Sequence, residues 1–380
     1  MAADTEMAVP TVPSTDQLEA GRRARSRRDT FAGWAFIGPF FLIYVAFLLW
    51  PVVQAIHMSA FSWDLLTLDR GFLGLDNYRR MLWGTEMGWG ATHLAGWRLA
   101  LLGIVALTWY AHLRGRVERR SAWGVTLILG LVLAVGVLGI RPDPVNGRWF
   151  DGGFWRSFGN TMMFVLLSTP LTVGLGLGLA LMLNGTSRLV RVFRAVFFCS
   201  YVFPVAVVTL MWGFLLNPQQ GLIGAAFERV GLEPIAFLTS PTLALPAIVV
   251  TTMWWTVGFN MVLFIAGMQD IGPDLYEAAE LDGANYLARF RYITLPGLRR
   301  TFLLVTVLQV IASFQIFGQV FIMTRGGPGG STRVLIQHIY ESGFRDFELG
   351  YASALSVFLF VVMLAVSAVQ FRLLGGEDDR

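Results

Sequence analysis

Long apolar runs without charged side chains constrain the fold of this chain more than any other feature of its sequence. Eight such runs occur once Arg98 and His112 are set aside at their ends, at residues 31–53, 97–113, 123–140, 158–183, 195–216, 243–268, 302–324 and 350–371. Each is close to the length of about 20 residues with which a helix crosses a bilayer. Mean hydropathy is +0.59 and only 14% of residues are charged, which is atypical of soluble domains. The sequence therefore predicts an all-α integral membrane protein with about eight transmembrane helices.

The arginines predict which side of the membrane each connecting segment faces. The chain has 29 basic residues and no lysine. A cytoplasmic N-terminus places the arginine-rich segments 22–28, 114–120, 188–194 and 289–300 in the cytoplasm, as the positive-inside rule requires. Residues 1–30 are polar and lack hydrophobic periodicity, which predicts a disordered basic tail. With eight spans the C-terminus is cytoplasmic as well.

One long polar segment stands between two strongly apolar runs, from Asp270 to Pro296. Pro273 and Asp274 predict a helix start with Asp274 as the N-cap, and Glu277 follows at the spacing of a capping box. Gly283 can end this helix through a left-handed conformation. A second amphipathic piece then carries Arg289 and Arg291. The pattern is typical of a helix that docks into a partner's cleft, and it also fits an amphipathic connector between two membrane helices.

The spacing Glu277-Ala278-Ala279, Gly283, Ile293-x-Leu295-Pro296 resembles the EAA loop of the permease subunits of ABC importers. The resemblance implies that this loop is a cytoplasmic coupling helix lying in a groove of the ATPase subunit, where the glutamate pairs with a basic residue. The implied coupling residues are Glu277, Ala278, Ala279, Asp282, Gly283, Ile293, Leu295 and Pro296.

Three further stretches resemble carbohydrate-type ABC permeases of the maltose-like and glycerol-phosphate-like branch. They are the FLGLDNY stretch at 72–78, the FWRSFGNT stretch at 154–161 and the TRGGPGGST stretch at 324–332. Compared with six-helix members, the chain carries an inserted transmembrane hairpin within residues 82–150, which is either a peripheral addition or a site for a partner or lipid. The resemblance divides the chain into a tail (1–30), a first helix with its outer loop (31–81), this insertion (82–150), a permease core (151–373) with its coupling loop (270–298), and a C-terminal tail (374–380).

Polar and aromatic residues in mid-membrane mark where a transport pathway can be lined. Pro204 should kink the run at 195–216, and Gly174 and Gly178 form a GxxxG face for close helix packing. Thr306, Gln309 and Ser313 form one polar stripe, which serves either a pathway or helix–helix hydrogen bonding. The resemblance to sugar permeases implies that the substrate pathway is lined by Trp254, Gly258, Asn260, Met261, Gln309 and Ser313. Alternatively, the tryptophans simply face lipid or neighbouring helices.

Without lysine the chain cannot carry a standard Walker A site, so ATP would be bound by another subunit and no cofactor is expected here. Cys199, the single cysteine, excludes an internal disulfide. The resemblance implies a multi-pass subunit of the bacterial plasma membrane that imports a neutral sugar or polyol. Its implied partners are an ABC ATPase dimer, a second homologous permease subunit, an extracytoplasmic solute-binding protein and membrane lipid, with no nucleic acid. A glycerol phosphate permease, an ion-coupled secondary transporter and a non-transporting scaffold are the alternatives.

Overall fold

The computed structural model describes residues 34–66, 70–83, 95–114, 123–124, 126 and 152–374. Within these residues the structure is helical, with two isolated β-bridges and no strand. The helices are α1 (Trp34–Ser59), α2 (Asp76–Trp83), α3 (Ala95–Leu113), α4 (Gly152–Met182), α5 (Arg188–Val202), α6 (Val205–Leu215), α7 (Leu222–Arg229), α8 (Ala244–Gln269), α9 (Pro273–Leu281), α10 (Tyr286–Arg289), α11 (Leu295–Gly297), α12 (Arg299–Phe314), α13 (Gly318–Met323), α14 (Leu335–Tyr340) and α15 (Leu349–Leu374). The all-α prediction is confirmed.

Five helical stretches in the described part of the chain are long and apolar enough to cross a membrane. They are Trp34–Ser59, Gly153–Met182, Ala244–Gln269, Arg299–Met323 and Leu349–Arg372, and the bent pair α5–α6 makes a sixth if it is one span. The predicted run at 97–113 is helical but belongs to the shorter α3. The run at 123–140 lies almost entirely outside the described residues, as do most of the two tails. The count of eight and the inserted hairpin therefore stay predictions.

The chain divides into two compact units, residues 1–57 and 58–380. The described part of the first unit is a single apolar helix with a mean hydropathy of 2.2, and its most apolar stretch has no buried residue. A helix that is apolar on all sides needs an apolar environment around it. Lipid or another chain would provide that environment.

The second unit is organised around α8, which packs mainly on α4, α5 and α12. More than half of the most apolar stretch of α8 is buried. Its close contact with α4 depends on Gly176, where a Cβ would lie 2.8 Å from the Cβ of Asn260. Gly174 and Gly178, the expected packing face, have no such neighbour within 4 Å. Among the described residues the close packing expected at these two glycines is therefore not found, because the α4 face that meets α8 carries Gly176, which lies between them in sequence.

The helix break predicted at Pro204 is confirmed and is larger than a kink. The helix axis turns by 101° between α5 and α6. Phe203 adopts an extended backbone (φ −70°, ψ 138°), the conformation that a following proline favours. Pro204 then caps the next helix, which begins at Val205.

Candidate functional site

The polar segment 270–298 forms a short helix, α9, and a chain of helical turns that leads into α12. Gly272 is the N-cap of α9 and Pro273 is its first residue. Asp274 therefore lies within the first turn and makes no capping hydrogen bond, so its predicted N-cap role is wrong. Proline is favoured at the first helical position because its fixed φ suits the helix and its missing N–H is not needed there. Asp274 still places a negative charge near the positive end of the helix dipole.

The end of α9 forms at Gly283, as the sequence predicts. Gly283 has φ +74°, and the backbone nitrogen of Ala284 donates to the Ala279 carbonyl at 2.8 Å, while that of Gly283 donates to the Glu280 carbonyl at 3.1 Å. This pair of bonds is a Schellman motif. The motif requires a residue in the left-handed conformation, which glycine adopts without strain. The helix α10 follows, and its N-cap is Asn285, whose side chain accepts from the Ala288 nitrogen.

The surface of α9 is open, and none of its residues is buried. Of the eight implied coupling residues, two are half-buried, Ala279 and Ile293, and six are exposed, namely Glu277, Ala278, Asp282, Gly283, Leu295 and Pro296. Leu281 beside them is 90% exposed. The helix α9 therefore presents acidic and apolar side chains together on its exposed surface.

A buried polar cluster joins α4, α8 and α12. The Asn260 amide donates to the Gln309 side-chain oxygen at 2.9 Å, and the Gln309 amide donates to the Ser313 hydroxyl at 3.3 Å. The Ser168 hydroxyl lies 3.0 Å from that of Ser313. All four side chains are at most 6% exposed. Each group finds a partner within the chain, as polar groups in lipid must, so this cluster fixes the three helices against one another.

A partly exposed aromatic cluster lies at the break between α5 and α6. The Trp255 indole donates to the Phe203 carbonyl at 3.1 Å. This bond gives a hydrogen-bond partner to a carbonyl at the helix break. Tyr201 stacks on Phe259 with ring centroids 4.7 Å apart. At Gly258 a Cβ would lie 2.0 Å from the Phe197 carbonyl oxygen, so only glycine permits this approach of α5 to α8. The rings and the break are thus held together as one surface.

A glycine-rich loop, residues 324–332, is fixed to the start of α4. Arg156 donates to the Gly329 carbonyl at 2.8 Å, and the Asn160 amide donates to the carbonyls of Gly330 at 3.0 Å and Arg333 at 2.9 Å. Inside the loop, the Thr332 hydroxyl donates to the Gly327 carbonyl at 2.7 Å. Two stretches about 170 residues apart in sequence therefore form one rigid structure.

The family described as "Binding-protein-dependent transport system inner membrane component" matches residues 171–374, which is more than half of the 380 residues. The chain belongs to this family. It is a multi-pass inner-membrane permease subunit of an ABC importer. The family match begins within α4 and runs to the end of α15, so it includes the 270–298 segment and the glycine-rich loop.

Several curated relatives of this permease are named as carbohydrate permeases, which confirms the resemblance to carbohydrate-type permeases. It is 33% identical over 228 residues to the sulfoquinovosyl glycerol transport system permease protein SmoG of Agrobacterium fabrum, covering 60% of this chain and 74% of the relative. It is 34% identical to the trehalose/maltose transport system permease protein MalF of Thermococcus litoralis, covering 58% and 74%. Identity to the diacetylchitobiose uptake system permease protein NgcF of Streptomyces coelicolor is 29%, covering 94% and 88%.

A solved structure shares the fold of the permease along nearly its whole length. It is the crystal structure of a bacterial ABC transporter involved in the import of the acidic polysaccharide alginate. The TM-score is 0.65 at 18% identity, over 94% of this chain and all of that chain.

The six implied pathway residues of the permease lie in different surroundings. Asn260, Gln309 and Ser313 meet in the buried polar cluster. Met261 is fully buried in the core beside them. Gly258 faces α5, and Trp254, 36% exposed, contacts Trp212 edge-on at 5.8 Å between ring centroids. The structure thus brings three of the six together, whereas Gly258 and Trp254 contact α5 and α6 instead.

Sequence reasoning missed the residues that complete these sites from other helices. Ser168 on α4 and Tyr201 on α5 carry no local pattern that would mark them, although Pro204 indicated the break where Tyr201 lies. Among the described residues no group of three or more His, Cys, Asp or Glu could hold a metal ion.

Proposed function

We propose that this chain is the translocating subunit of an ATP-driven importer of a neutral sugar or related polyol. The single observation that carries the choice of cargo is the partly exposed aromatic cluster at the break, formed by Tyr201, Trp255 and Phe259 and flanked by Trp254. Sugars are held by aromatic faces and neutral hydrogen-bonding groups. The surrounding apolar run at 243–268 carries no charged side chain, which suits an uncharged cargo.

The substrate pathway proposed here runs past α8. Trp254 presents a ring to the cargo, while Gly258, Asn260, Met261, Gln309 and Ser313 shape the wall behind it. The burial of Asn260, Gln309 and Ser313 supports a role in holding α8 and α12 at fixed spacing beside the path. The sharp break at Pro204 supports α5 and α6 as elements that can move against this wall.

The 270–298 segment is proposed as the ATPase-docking surface, with Glu277 pairing with a basic residue of the ATPase subunit. Its support is the exposure of α9, whose side chains leave the docking face uncovered. This role places the segment and both termini in the cytoplasm, in agreement with the distribution of arginines. ATP hydrolysis takes place on the ATPase subunits, and this chain catalyses no reaction.

The complete importer contains two ATPase subunits, a second homologous permease and a binding protein that delivers cargo on the extracytoplasmic side. Closure of the ATPase subunits moves the coupling helices and switches the side to which the cavity opens. The fold shared with the alginate transporter extends over 94% of this chain and 100% of that chain. This likeness supports an assembly of this type.

The test is to tag the chain in its native host, extract it in mild detergent and identify co-purifying proteins by mass spectrometry. The proposal expects an ATPase subunit, a second permease and a binding protein, and uptake of neutral sugars into vesicles that contain the reconstituted complex and ATP. Recovery of the chain alone, under conditions that keep a known importer intact, would contradict it. Uptake only of an anionic solute would support the importer function but contradict the neutral cargo. The cargo would then be a glycerol-phosphate-like compound.

A further inference from the structure

The coupling helix α9 has few anchors, so the way it is held decides how its movement reaches the membrane. It has no buried residue. Two side-chain contacts join it to the turns that follow. One is the hydrogen bond between Tyr276 and Thr294, and the other is the ion pair between Glu280 and Arg289.

The two contacts differ in strength. The Glu280–Arg289 pair is 3.4 Å long, and its carboxylate side chain is 74% exposed, so water and salt weaken it. The Tyr276 and Thr294 hydroxyls are 3.0 Å apart, Tyr276 is half-buried, and Thr294 is 5% exposed. A hydrogen bond shielded from water is stronger and more directional than an exposed ion pair. Tyr276 is therefore the firmer of the two attachments.

Thr294 occupies a position from which movement passes directly into α12. It ends the π turn Phe290–Thr294, and its hydroxyl also lies 3.4 Å from the Arg289 carbonyl, five residues back. If that hydroxyl donates to Arg289, the Tyr276 hydroxyl donates to Thr294. The Thr294 carbonyl accepts from the Leu298 nitrogen at 2.9 Å, and Leu298 is fully buried. Turns with π geometry are frequent at functional sites.

The start of α12 is in turn locked to the end of α8. A Cβ at Gly267 would lie 2.2 Å from the Thr301 hydroxyl oxygen, and one at Gly297 would lie 2.7 Å from the Ile271 side chain. The helix ends are therefore packed closely against each other at these two glycines. Farther along these helices, the hydrogen bond between Asn260 of α8 and Gln309 of α12 links the same two helices. We therefore expect a displacement of Thr294 to move α8 and α12 together.

We infer that the Tyr276–Thr294 hydrogen bond is the strut through which the movement of α9 reaches α12, so that Tyr276 and Thr294 are positioning residues for transport. The inference rests on the proposed function, in which α9 docks on the ATPase subunit. Neither hydroxyl is needed for docking itself, because Glu277 and the exposed apolar residues provide that surface. Loss of the strut leaves an ATPase that binds and hydrolyses ATP but moves α12 inefficiently.

The experiment uses the full reconstituted importer and compares Tyr276→Phe, Thr294→Val and the double variant. Each substitution removes one hydroxyl group and keeps the size of the side chain. The measured quantities are ATPase co-purification, ATP hydrolysis, and sugar imported per ATP hydrolysed. We expect normal co-purification, retained hydrolysis and a fall of about fivefold or more in sugar per ATP. The double variant should be no worse than the more affected single variant, because both remove the same bond.

Matched controls on α3, Thr108→Val and Tyr110→Phe, remove the same groups outside the 270–298 segment and should leave the ratio unchanged. Thr294→Ser keeps the hydroxyl and should restore most of the coupling. A ratio in Tyr276→Phe equal to that of the controls overturns the strut, and so does loss of ATPase co-purification, which would make the bond a folding or docking contact. Absence of ATP-driven uptake in the wild-type importer overturns the proposed function instead.

Discussion

The glycine-rich loop at 324–332 and the polar segment at 270–298 lie at opposite ends of the span Arg299–Met323, and they are built in opposite ways. Side chains of α4 hold the loop by its carbonyls. The segment instead exposes its helix α9, and Leu281 at the end of that helix is 90% exposed. The loop is held by hydrogen bonds to α4 of the same chain, whereas α9 of the segment has no buried residue. Substitutions in the loop should therefore affect folding, and substitutions in the segment should affect coupling.

The largest expected effect is functional and falls on the segment. Glu277→Lys inverts the charge on the exposed face of α9, so we expect correct membrane insertion, unchanged thermal stability, and ATP-driven uptake reduced by about tenfold or more, which corresponds to about 1.4 kcal/mol. Glu277→Gln, which removes the charge without inverting it, should give an intermediate rate. Uptake into reconstituted vesicles is the measurement. Normal transport in Glu277→Lys would remove the segment from the docking surface.

The loop should show the converse behaviour, with a loss of stability. Asn160→Leu leaves the carbonyls of Gly330 and Arg333 without their amide donor, and each unpaired, partly buried group costs about 1–3 kcal/mol. Thermal unfolding of the purified chain in detergent should show a lower midpoint. Gln220→Leu, at an exposed amide, is the control and should unfold like the wild type. An unchanged midpoint in Asn160→Leu would mean that the loop is not held by this side chain.

A matched pair of glycines sharpens the comparison further. Gly326 in the loop and Gly283 in the segment both have positive φ, +81° and +74°, so alanine is strained at either position. At Gly326 a Cβ would also lie 2.8 Å from the amide nitrogen of the buried Gln337, while at Gly283 it would meet open space. Gly326→Ala should therefore destabilise the chain by about 1–2 kcal/mol more than Gly283→Ala, from overpacking. Equal shifts in unfolding midpoint would contradict the difference in packing.

The smallest expected effect concerns the interior that connects the two regions. Gln309→Leu removes the partner of Asn260, and interhelical hydrogen bonds in membranes contribute about 0.6 kcal/mol on average and about 1.7 at most. A small drop in the unfolding midpoint should accompany a lower sugar-dependent rate of ATP hydrolysis. Ser356→Ala, whose hydroxyl bonds only within its own helix at Ala352, serves as the control. Unchanged uptake kinetics in Gln309→Leu would place the pathway elsewhere.

The sequence was sufficient wherever structure depends on local chemistry. Six of the eight apolar runs coincide with spans in the described residues, the bent pair α5–α6 being counted as one, since a helix satisfies all of its own backbone hydrogen bonds in lipid. Gly283 predicted the end of α9, and Pro204 predicted the break in the run at 195–216, because both residues restrict or extend backbone angles regardless of neighbours. In the stripe of Thr306, Gln309 and Ser313, the last two make interhelical hydrogen bonds, the alternative to lining a pathway, whereas the Thr306 hydroxyl is buried without a partner among the described residues.

The sequence was insufficient to predict contacts between stretches that are distant in sequence. The GxxxG pattern of Gly174 and Gly178 indicates a close helix contact without naming the partner helix, and it does not show that the glycine facing α8 is Gly176. Likewise, the motifs at 154–161 and 324–332 carry no sequence signal that they are in contact. In the structure, Asn160 of the first motif donates a hydrogen bond to the glycine-rich loop. Asp274 is not the N-cap because the helix begins at Pro273, one residue before Asp274. The N-cap is therefore Gly272.

The central claim is that the 270–298 segment, and not the glycine-rich loop, contacts the ATPase. The most direct test is cysteine cross-linking in native membranes, after Cys199→Ser removes the single native cysteine. A cysteine placed at Glu277 should form a cross-linked product with the ATPase subunit through a short bifunctional reagent, and one placed at exposed Gly329 should not. A product from position 329, or none from position 277 in a complex that still hydrolyses ATP, would contradict this account.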